Sequence, residues 1–532
     1  MTGTLRAQTK ITADSIHETQ AGVFLSGARV SVDLPAAPIR YLYSGWQSWS
    51  LTAWVETERP IRPMRPSCLN PMQTDPVYAC ETRPNGAWYG AVELPDRQIL
   101  FLGALGLDSH VRLDGRTLSG WYESGSGEWF YALGEESRIF DQYAALLKER
   151  FGAGRSQTPL RVWCSWYSLY TEIHADDLLK ILHDLGDLPF DVFQVDDGWQ
   201  ISIGDWEANP KFPSGMQDLA NQIRSTGRIA GLWLAPLLVV PSSNLFREHR
   251  DWLLHDENGR LVSAGFNWGE QLYALDTTTH PQALDWLAAL MKKVRDWGYD
   301  YAKIDFLFAG ALPGKRYLDL PREAAYRHGL EVLRTALGEA YFLTCGAPIL
   351  PSLGLCDGIR VGSDVANYWS SYRDDTLLMN TATPGGRNAL RTTLNRLWLK
   401  PLVHTDPDVA YFRTRQNQFT GEQKMYLQDL AVIAGFKATS DIPAWLTEAE
   451  RATLRIFLEQ SPQVKKIGPA CYEIDGRRVD FSAAIQMPAL PGPLTNLLGE
   501  IVGKLGNNQA ILKMLDANNH NSLRKMLQRN PV

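Results

Sequence analysis

Cysteine pairs at metal-ligand or disulfide spacing are missing from this chain. Its 6 cysteines are scattered and form no Cys-x-x-Cys motif, which argues against a disulfide scaffold and against structural zinc. The 10 histidines include neither a His-Glu-x-x-His motif nor a three-histidine ligand set. A Gly-x-Ser-x-Gly elbow and a phosphate-binding loop are absent too. We therefore expect no metal, no cofactor, and a chemistry that uses carboxylates.

Charge runs and long apolar runs are also lacking. The formal net charge is −6 without any basic cluster, which argues against nucleic acid or an anionic membrane as a partner. The longest apolar run, residues 229–240, contains Pro236 and is too short to span a bilayer. The first twenty residues are polar and lack the apolar core of a signal peptide. A cytoplasmic location without a membrane partner is the expectation.

Aromatic residues, by contrast, are abundant, with 18 Trp and 20 Tyr. They could line a sugar site, because the apolar face of a sugar ring stacks on aromatic rings, or they could fill a large core. Trp46, Trp49 and Trp54 lie too close together for one strand to bury them all. We place the segment Ser44–Ser50 on a loop, as a sugar-stacking rim or as a contact between two domains.

With 532 residues, the chain is too long for one ordinary domain. Residues 1–155 contain short alternating apolar runs between turn residues, which predicts an N-terminal antiparallel β-sandwich. Residues 156–445 alternate β-like runs with amphipathic helices, the pattern of a (β/α)8 TIM barrel. The predicted strands are Arg161–Trp166, Phe190–Asp196, Ile229–Ala235, Tyr299–Asp305, Tyr341–Cys345, Gly358–Gly362, Lys400–His404 and Ala431–Ala438.

Residues 446–532 form a short C-terminal region. A helix to about Leu458 precedes a predicted β-hairpin over 464–484 that turns at Asp475-Gly476. Apolar residues then recur at helical spacing on one face: Leu494, Leu497, Leu498, Ile501, Val502 and Leu505. A further amphipathic piece is predicted over 523–527. We expect this tail to dock on the body of the chain, with another subunit as the alternative.

The segment Tyr301–Phe306 is predicted to be a buried strand that ends in a carboxylate. Lys303 and Asp305 project to the same side, because side chains alternate along a strand. Two charges in an apolar run are either a buried ion pair or part of a functional site. A barrel carries its chemistry at the carboxyl ends of its strands, and carboxylates and aromatics follow nearly every predicted strand. Paired carboxylates with many aromatics and no metal-ligand set favour glycoside hydrolysis.

Six motifs in this order match one family. They are Val162–Tyr167, Phe193–Trp199, Gly231-Leu232-Trp233, Leu275–Thr278, Lys303-Ile304-Asp305 and Arg360–Asp364. With them, residues 160–445 resemble glycoside hydrolase family 36, the retaining α-galactosidases, and the N-terminal Gly-Trp-Gln-Ser-Trp loop resembles it more loosely.

The resemblance implies a role for each matching residue. Asp305 would be the nucleophile and Asp364 the general acid/base of a double displacement that retains configuration. The implied substrate-binding residues are Trp166, Asp196, Asp197, Trp199, Trp233, Lys303, Cys345 and Arg360. Asp364 must hold a proton, so we expect a less compensated environment for it. A retaining enzyme also needs its two carboxyl groups about 5–5.5 Å apart.

Two departures from the family pattern concern the sugar. Leu343–Pro348 lacks the usual acidic residue around Cys345, and the segment after Asp364 lacks a further aspartate. An α-glycosidase with another sugar specificity and an α-galactosyl transglycosylase of the raffinose-synthase kind are therefore alternatives. A carbohydrate-binding barrel without turnover is the non-enzymatic alternative. In each of the enzymatic hypotheses the substrate is an oligosaccharide. The resemblance also allows a homo-oligomer.

Overall fold

The structure is a computed structural model that describes residues 10–19, 22–59, 62–154, 159–276 and 281–511. Its N-terminal part consists of two antiparallel sheets, ordered β1-β4-β11-β10-β7 and β2-β3-β12-β9-β8-β5-β6. Alternating side chains from both sheets, such as Val32 and Leu102, share one apolar core. The strands are β1 (Ile11–Thr12), β2 (Ser15–Thr19), β3 (Gly22–Gly27), β4 (Arg29–Asp33), β5 (Arg40–Tyr43), β6 (Ala53–Glu56), β7 (Asn85–Ala87), β8 (Tyr89–Glu93), β9 (Ile99–Ala104), β10 (Ser109–Asp114), β11 (Thr117–Tyr122) and β12 (Gly127–Gly134).

A curled sheet of eight parallel strands follows, in the order β24-β23-β22-β21-β17-β14-β13-β25. Its members are β13 (Arg161–Cys164), β14 (Val192–Val195), β17 (Ile229–Leu234), β21 (Tyr301–Ile304), β22 (Tyr341–Thr344), β23 (Gly358–Arg360), β24 (His404–Asp406) and β25 (Lys437–Thr439). The last strand pairs with the first. Two small antiparallel sheets lie in the connections, formed by β15 (Gln200–Ser202) with β16 (Asp205–Ala208) and by β18 (Leu238–Val239), β19 (Ser263–Asn267) and β20 (Glu270–Ala274).

Helices connect the parallel strands, and their apolar faces pack against the sheet. The predicted helix at residues 175–185 is confirmed, with Leu178, Leu182 and Leu185 buried. The helices are α1 (Glu136–Phe151), α2 (Trp166–Leu169), α3 (Ala175–Leu185), α4 (Gly215–Ser225), α5 (Asn244–Glu248), α6 (Pro281–Asp296), α7 (Arg322–Leu337), α8 (Ile349–Ser352), α9 (Gly386–Leu394), α10 (Gly421–Ala434), α11 (Glu448–Glu459) and α12 (Pro493–Leu505). Within the described ranges, none of them has the length and apolarity that crossing a bilayer requires.

Two of the predicted strand positions are wrong. Strand β24 begins at His404, and the predicted strand residues 400–403 form a turn that follows a short 3-10 helix, Leu397–Leu399. The apolar run 431–438 is split between the end of α10 and β25. A capping box at Thr420 starts that helix, and Gly435 ends it in the left-handed conformation, with φ of 79°. The apolar run therefore covers a helix end and a strand start, which apolarity alone does not separate.

The C-terminal region begins with a three-stranded antiparallel sheet, β26 (Val464–Gly468), β27 (Cys471–Ile474) and β28 (Arg477–Asp480). The predicted turn at Asp475-Gly476 connects its last two strands. The hairpin prediction thus missed one strand. The predicted piece at 523–527 lies outside the described residues.

Helix α12 packs on the body through a face that was not predicted. Gly499 and Gly503 contact Leu377 and Arg65 so closely that a Cβ at Gly499 would lie 2.1 Å from the Leu377 carbonyl oxygen. The predicted apolar face points away from this contact, with 36% to 71% of each side chain exposed. Close approach of the backbone, which only glycine permits, therefore decides which face of α12 docks.

A buried polar cluster joins the N-terminal sheets to α7. The Glu323 carboxylate accepts hydrogen bonds from the indole N–H groups of Trp46 (2.9 Å) and Trp88 (3.0 Å) and from the backbone N–H of Asp108 (2.6 Å). Arg322 donates two hydrogen bonds to Asp75, at 3.0 and 2.7 Å. Burial, together with the nearby Asp108 carboxylate, raises the pKa of Glu323 to about 8. Buried polar side chains of the N-terminal part and of α7 therefore hydrogen-bond with each other across the contact.

Candidate active site

A cavity of about 480 Å³ opens at the carboxyl ends of the parallel strands. Seven of the ten predicted site residues line it: Trp166, Asp196, Asp197, Trp233, Lys303, Asp305 and Asp364. The other three, Trp199, Cys345 and Arg360, are buried directly around it. The arrangement follows from the parallel sheet, which brings the ends of its strands to one edge.

Asp196 and Asp197 follow β14 and differ in their partners. Asp196 accepts hydrogen bonds from Gln194 (2.6 Å) and Lys303 (2.9 Å) at one oxygen and from the backbone N–H of Asp197 (2.9 Å) at the other, so both of its oxygens have partners within the protein. Asp197 accepts from Gln200 (2.6 Å) and from the indole N–H of Trp268 (2.7 Å). Burial, with the charges of Asp196 and Asp305, raises the pKa of Asp197 to about 6.

Lys303 lies in β21 beside Trp233 of β17. Burial alone would lower the pKa of this ammonium, but the charges of Asp196 and Asp305 outweigh it and raise the pKa well above the usual value. Lys303 therefore stays charged. It has three donors, of which Asp196 takes one, so it can also donate to a sugar hydroxyl.

Asp305 directly follows β21, and both of its carboxylate oxygens are bound. The indole N–H of Trp233 donates to one oxygen (2.9 Å), and the backbone N–H of Phe306 donates to the other (2.8 Å). The backbone at Phe306 is left-handed, with φ of 54°. Two fixed donors hold the carboxylate in one orientation at the cavity wall, as a positioned nucleophile requires.

Asp364, beyond the end of β23, has a different environment. Its side chain is 30% exposed toward the cavity and accepts one hydrogen bond from Arg360, at 3.1 Å. Loss of hydration, followed by the charge of Asp408, raises the pKa of Asp364 to about 7, despite the opposing charge of Arg360. A carboxyl group with this pKa can give and take a proton near neutral pH.

Arg360 is shared among three carboxylates. Besides Asp364, it pairs with Asp406 (2.9 Å) and Asp408 (3.0 Å), and the hydroxyl of Tyr167 donates to Asp408. Asp364 thus receives only part of one positive charge. This sharing explains the incomplete compensation that the sequence led us to expect for Asp364.

Trp199 and Cys345 are buried behind the residues that line the cavity. The Trp199 indole N–H donates to the carbonyl oxygen of Trp233 at 2.9 Å, which fixes the residue that holds Asp305. Burial, followed by the charge of Asp305, raises the pKa of the Cys345 thiol well above its usual value. Cys345 is therefore a neutral packing group close to Asp305.

Sequence reasoning missed several residues of the site. Trp268, from the turn between β19 and β20, lines the cavity and was missed, whereas Trp49 lines it from the loop between β5 and β6 for which the sequence offered a sugar-stacking rim as one alternative. Trp268 adopts φ of 51° in a two-residue turn with Gly269, and this long connection gave no sequence signal. Asp406 and Asp408 could have been found, since they follow the seventh predicted strand. No group of three or more His, Cys, Asp or Glu that could hold a metal ion occurs in the described part of the chain.

A family model described as Melibiase matches residues 132–335. The α-galactosidase AgaA of Geobacillus stearothermophilus is 35% identical over 111 residues, which is 19% of this chain and 15% of that protein. An α-galactosidase of Escherichia coli is 25% identical over 229 residues, 40% of this chain and 30% of that protein. The matched segments therefore span less than a third of either relative.

Solved structures match over much more of the chain. TtGalA, an α-galactosidase from Thermus thermophilus in complex with p-nitrophenyl α-D-galactopyranoside, is 45% identical with a TM-score of 0.85. That match covers 90% of this chain and 97% of TtGalA. AgaA of Geobacillus stearothermophilus is 17% identical with a TM-score of 0.55, over 85% of this chain and 65% of that one. The second match shows a common fold.

Proposed function

This chain belongs to the melibiase family, the α-galactosidases of glycoside hydrolase family 36, and we propose that it removes terminal α-galactosyl residues from oligosaccharides with retention of configuration. The observation that carries the proposal is the contrast between two carboxyl groups on one cavity. Asp305 is held as an acceptor by two donors, whereas the pKa of Asp364 is raised to about 7. Two carboxyl groups in such different environments are typical of a nucleophile and a general acid.

In the first step, Asp305 attacks the anomeric carbon while the protonated Asp364 gives its proton to the departing glycosidic oxygen. The carbon–oxygen bond to the leaving group breaks and a glycosyl ester with Asp305 forms. In the second step, Asp364 takes a proton from water, and the water oxygen displaces Asp305 from the anomeric carbon. Two inversions give net retention.

The remaining charged groups hold the sugar in this proposal. Lys303 and Asp197 line the cavity and keep hydrogen-bonding capacity for hydroxyl groups, with a charge on at least one partner of each bond. Asp196 orients Lys303. Trp166 and Trp233 supply aromatic faces, on which the apolar side of a sugar can stack. TtGalA has been solved with stachyose as well as with the nitrophenyl galactoside, which supports an oligosaccharide as the substrate here.

We also infer that the curled sheet is a closed (β/α)8 barrel and that the two N-terminal sheets are a β-sandwich. Strand β13 pairs with both β14 and β25. On the other side of β25, the backbone N–H of Ala410, just past β24, donates to the carbonyl oxygen of Ala438 at 2.8 Å. These contacts support closure between the seventh and the eighth strand.

The proposal is tested with p-nitrophenyl α-galactoside and a panel of other α- and β-glycosides, with NMR of the first sugar released. We expect release of nitrophenol from the α-galactoside and α-galactose as the first product. Asp305→Asn should lower kcat by at least about 10³-fold, because the nucleophile is lost, while binding of galactose measured by calorimetry stays within a few-fold. A first product with the β configuration, or full turnover by Asp305→Asn, would contradict the mechanism.

A further inference from the structure

Arg396, which follows α9, is a buried arginine whose six described hydrogen bonds all go to neutral oxygens. Its side chain is 2% exposed. Burial lowers its pKa to about 10, so it still carries a positive charge at neutral pH. The acceptors are the carbonyl oxygens of Gly45 (3.0 Å), Gln47 (3.0 Å), Ser48 (2.7 Å), Ser50 (3.0 Å) and Val361 (3.1 Å) and the hydroxyl of Thr52 (3.0 Å).

Four of these six acceptors belong to the segment Ser44–Ser50, which we call the indole loop. It connects β5 to β6 in the N-terminal sheets, so a side chain next to the parallel sheet holds a loop of the other part of the chain. Gly45 has no room for a side chain, because a Cβ there would lie 2.4 Å from the Leu51 carbonyl oxygen. The carbonyl groups of the loop thus converge on one guanidinium.

The indole loop in turn contacts the loops that carry both catalytic aspartates. The Trp49 ring packs edge-on against Phe306, at 5.0 Å between centroids, and Phe306 donates its N–H to Asp305. On the other side, the hydroxyl of Ser363, the residue before Asp364, donates to the Trp49 carbonyl oxygen at 3.2 Å. Between them, the Ser48 N–H donates to the Ala347 carbonyl oxygen at 3.0 Å.

We infer that Arg396 is a positioning residue that fixes the indole loop and, through it, the separation of Asp305 and Asp364. This inference rests on the proposed glycosidase function. Burying a guanidinium without a carboxylate partner gives up much of its hydration, and a loop that only fills a domain contact does not require this. The Arg396 bond to Val361 also ties the strand that leads to Asp364 to the same centre.

The test compares Arg396→Lys with Arg391→Lys. Arg391 lies in α9, is also fully buried, and has its pKa lowered by burial to about 10 as well. It donates to the carbonyl oxygens of Ile485 (2.9 Å) and Gln486 (3.0 Å) in the C-terminal region. Both variants should lose thermal stability. Only Arg396→Lys should lower kcat for the nitrophenyl galactoside, by about ten- to a hundredfold with a smaller change in KM, since misplacement of reacting groups by about 1 Å has this effect.

Hydrogen exchange followed by mass spectrometry gives a readout that does not depend on turnover. Amides of residues 44–52 should exchange faster in Arg396→Lys and at the wild-type rate in Arg391→Lys. Thr52→Val, which removes one acceptor, should give an intermediate effect on both readouts. Equal losses of kcat in the two lysine variants, or unchanged exchange in the loop of Arg396→Lys, would overturn the inference. A wild-type protein that releases no nitrophenol would instead contradict the proposed function, and the exchange comparison would still decide the role of Arg396.

Discussion

Asp408 should set the upper pH limit of catalysis, because its charge is the second cause, after burial, of the raised pKa of Asp364. In the proposed mechanism Asp364 is the acid and must be protonated, so activity should be lost as the pH rises through about 7. Asp408→Asn removes a negative charge and also frees one nitrogen of Arg360. Both changes stabilise the ionised form of Asp364, so the pH limit should move to lower pH.

The size of the effect follows from the geometry around Arg360. Asp364 and Asp408 lie 3.1 and 3.0 Å from two nitrogens of this guanidinium. At a separation on the order of 6 Å and an effective dielectric constant of about 20, their repulsion is roughly 3 kcal/mol. Partial screening by solvent reduces this, and we expect the pKa of Asp364 to fall by about 1 to 2, where one pKa unit corresponds to about 1.4 kcal/mol.

The assay is kcat/KM against pH for the nitrophenyl galactoside, since kcat/KM reports the ionisations of the free enzyme. Asp408→Asn should be about tenfold slower than the wild type at pH 7 and within about twofold of it at pH 5, as a fall of about 1.5 in the pKa predicts. Asp441→Asn is the matched control, because Asp441 is equally buried but is paired with Arg413. A basic limb that stays in place or moves to higher pH in Asp408→Asn would refute this account of Asp364.

Two further predictions concern the cavity wall and the tail. Trp268→Phe removes the indole donor to Asp197. It should raise KM about three- to tenfold with kcat nearly unchanged, as loss of roughly 1 kcal/mol of hydrogen bonding predicts. An unchanged KM would contradict the proposed substrate-binding role of Asp197. Gly499→Ala should displace α12, since the added Cβ would meet the Leu377 carbonyl oxygen, whereas Gly492→Ala, with open space around it, should not. Faster hydrogen exchange of α12 in Gly499→Ala, with unchanged kcat, is the expected result, and equal exchange in the two variants would count against it.

Much of the site could be predicted because its residues lie next to regular structure. Asp196, Asp305 and Arg360 end or directly follow buried parallel strands, whose apolar runs and carboxyl-end chemistry are visible in sequence. The family resemblance, supported by the match to TtGalA, added roles that no pattern of apolarity supplies. The site roles themselves, the cytoplasmic location and a homo-oligomer stay predictions.

What could not be predicted depends on contacts between distant segments. Trp268 reaches the cavity from a long connection, and no local periodicity places it there; for the loop that carries Trp49, the sequence left a sugar-stacking rim and a domain contact both open. The wrong strand at 431–438 arose because helix and strand share one apolar run, and only the left-handed Gly435 separates them. Helix α12 docks by its glycines because a small residue permits close approach, which an apolar-face argument overlooks.

The buried cluster around Glu323 has a consequence for how this chain unfolds. Large multidomain proteins commonly lose their domains one after another. Here, separating the N-terminal sheets from α7 would leave the indole N–H groups of Trp46 and Trp88 and the Glu323 carboxyl group without their partners. Water would replace these hydrogen bonds, but separation would also expose the buried rings of Trp46 and Trp88, at a cost of about 1.5–3 kcal/mol for each large apolar side chain. The sheets and the catalytic half should therefore melt in one cooperative transition.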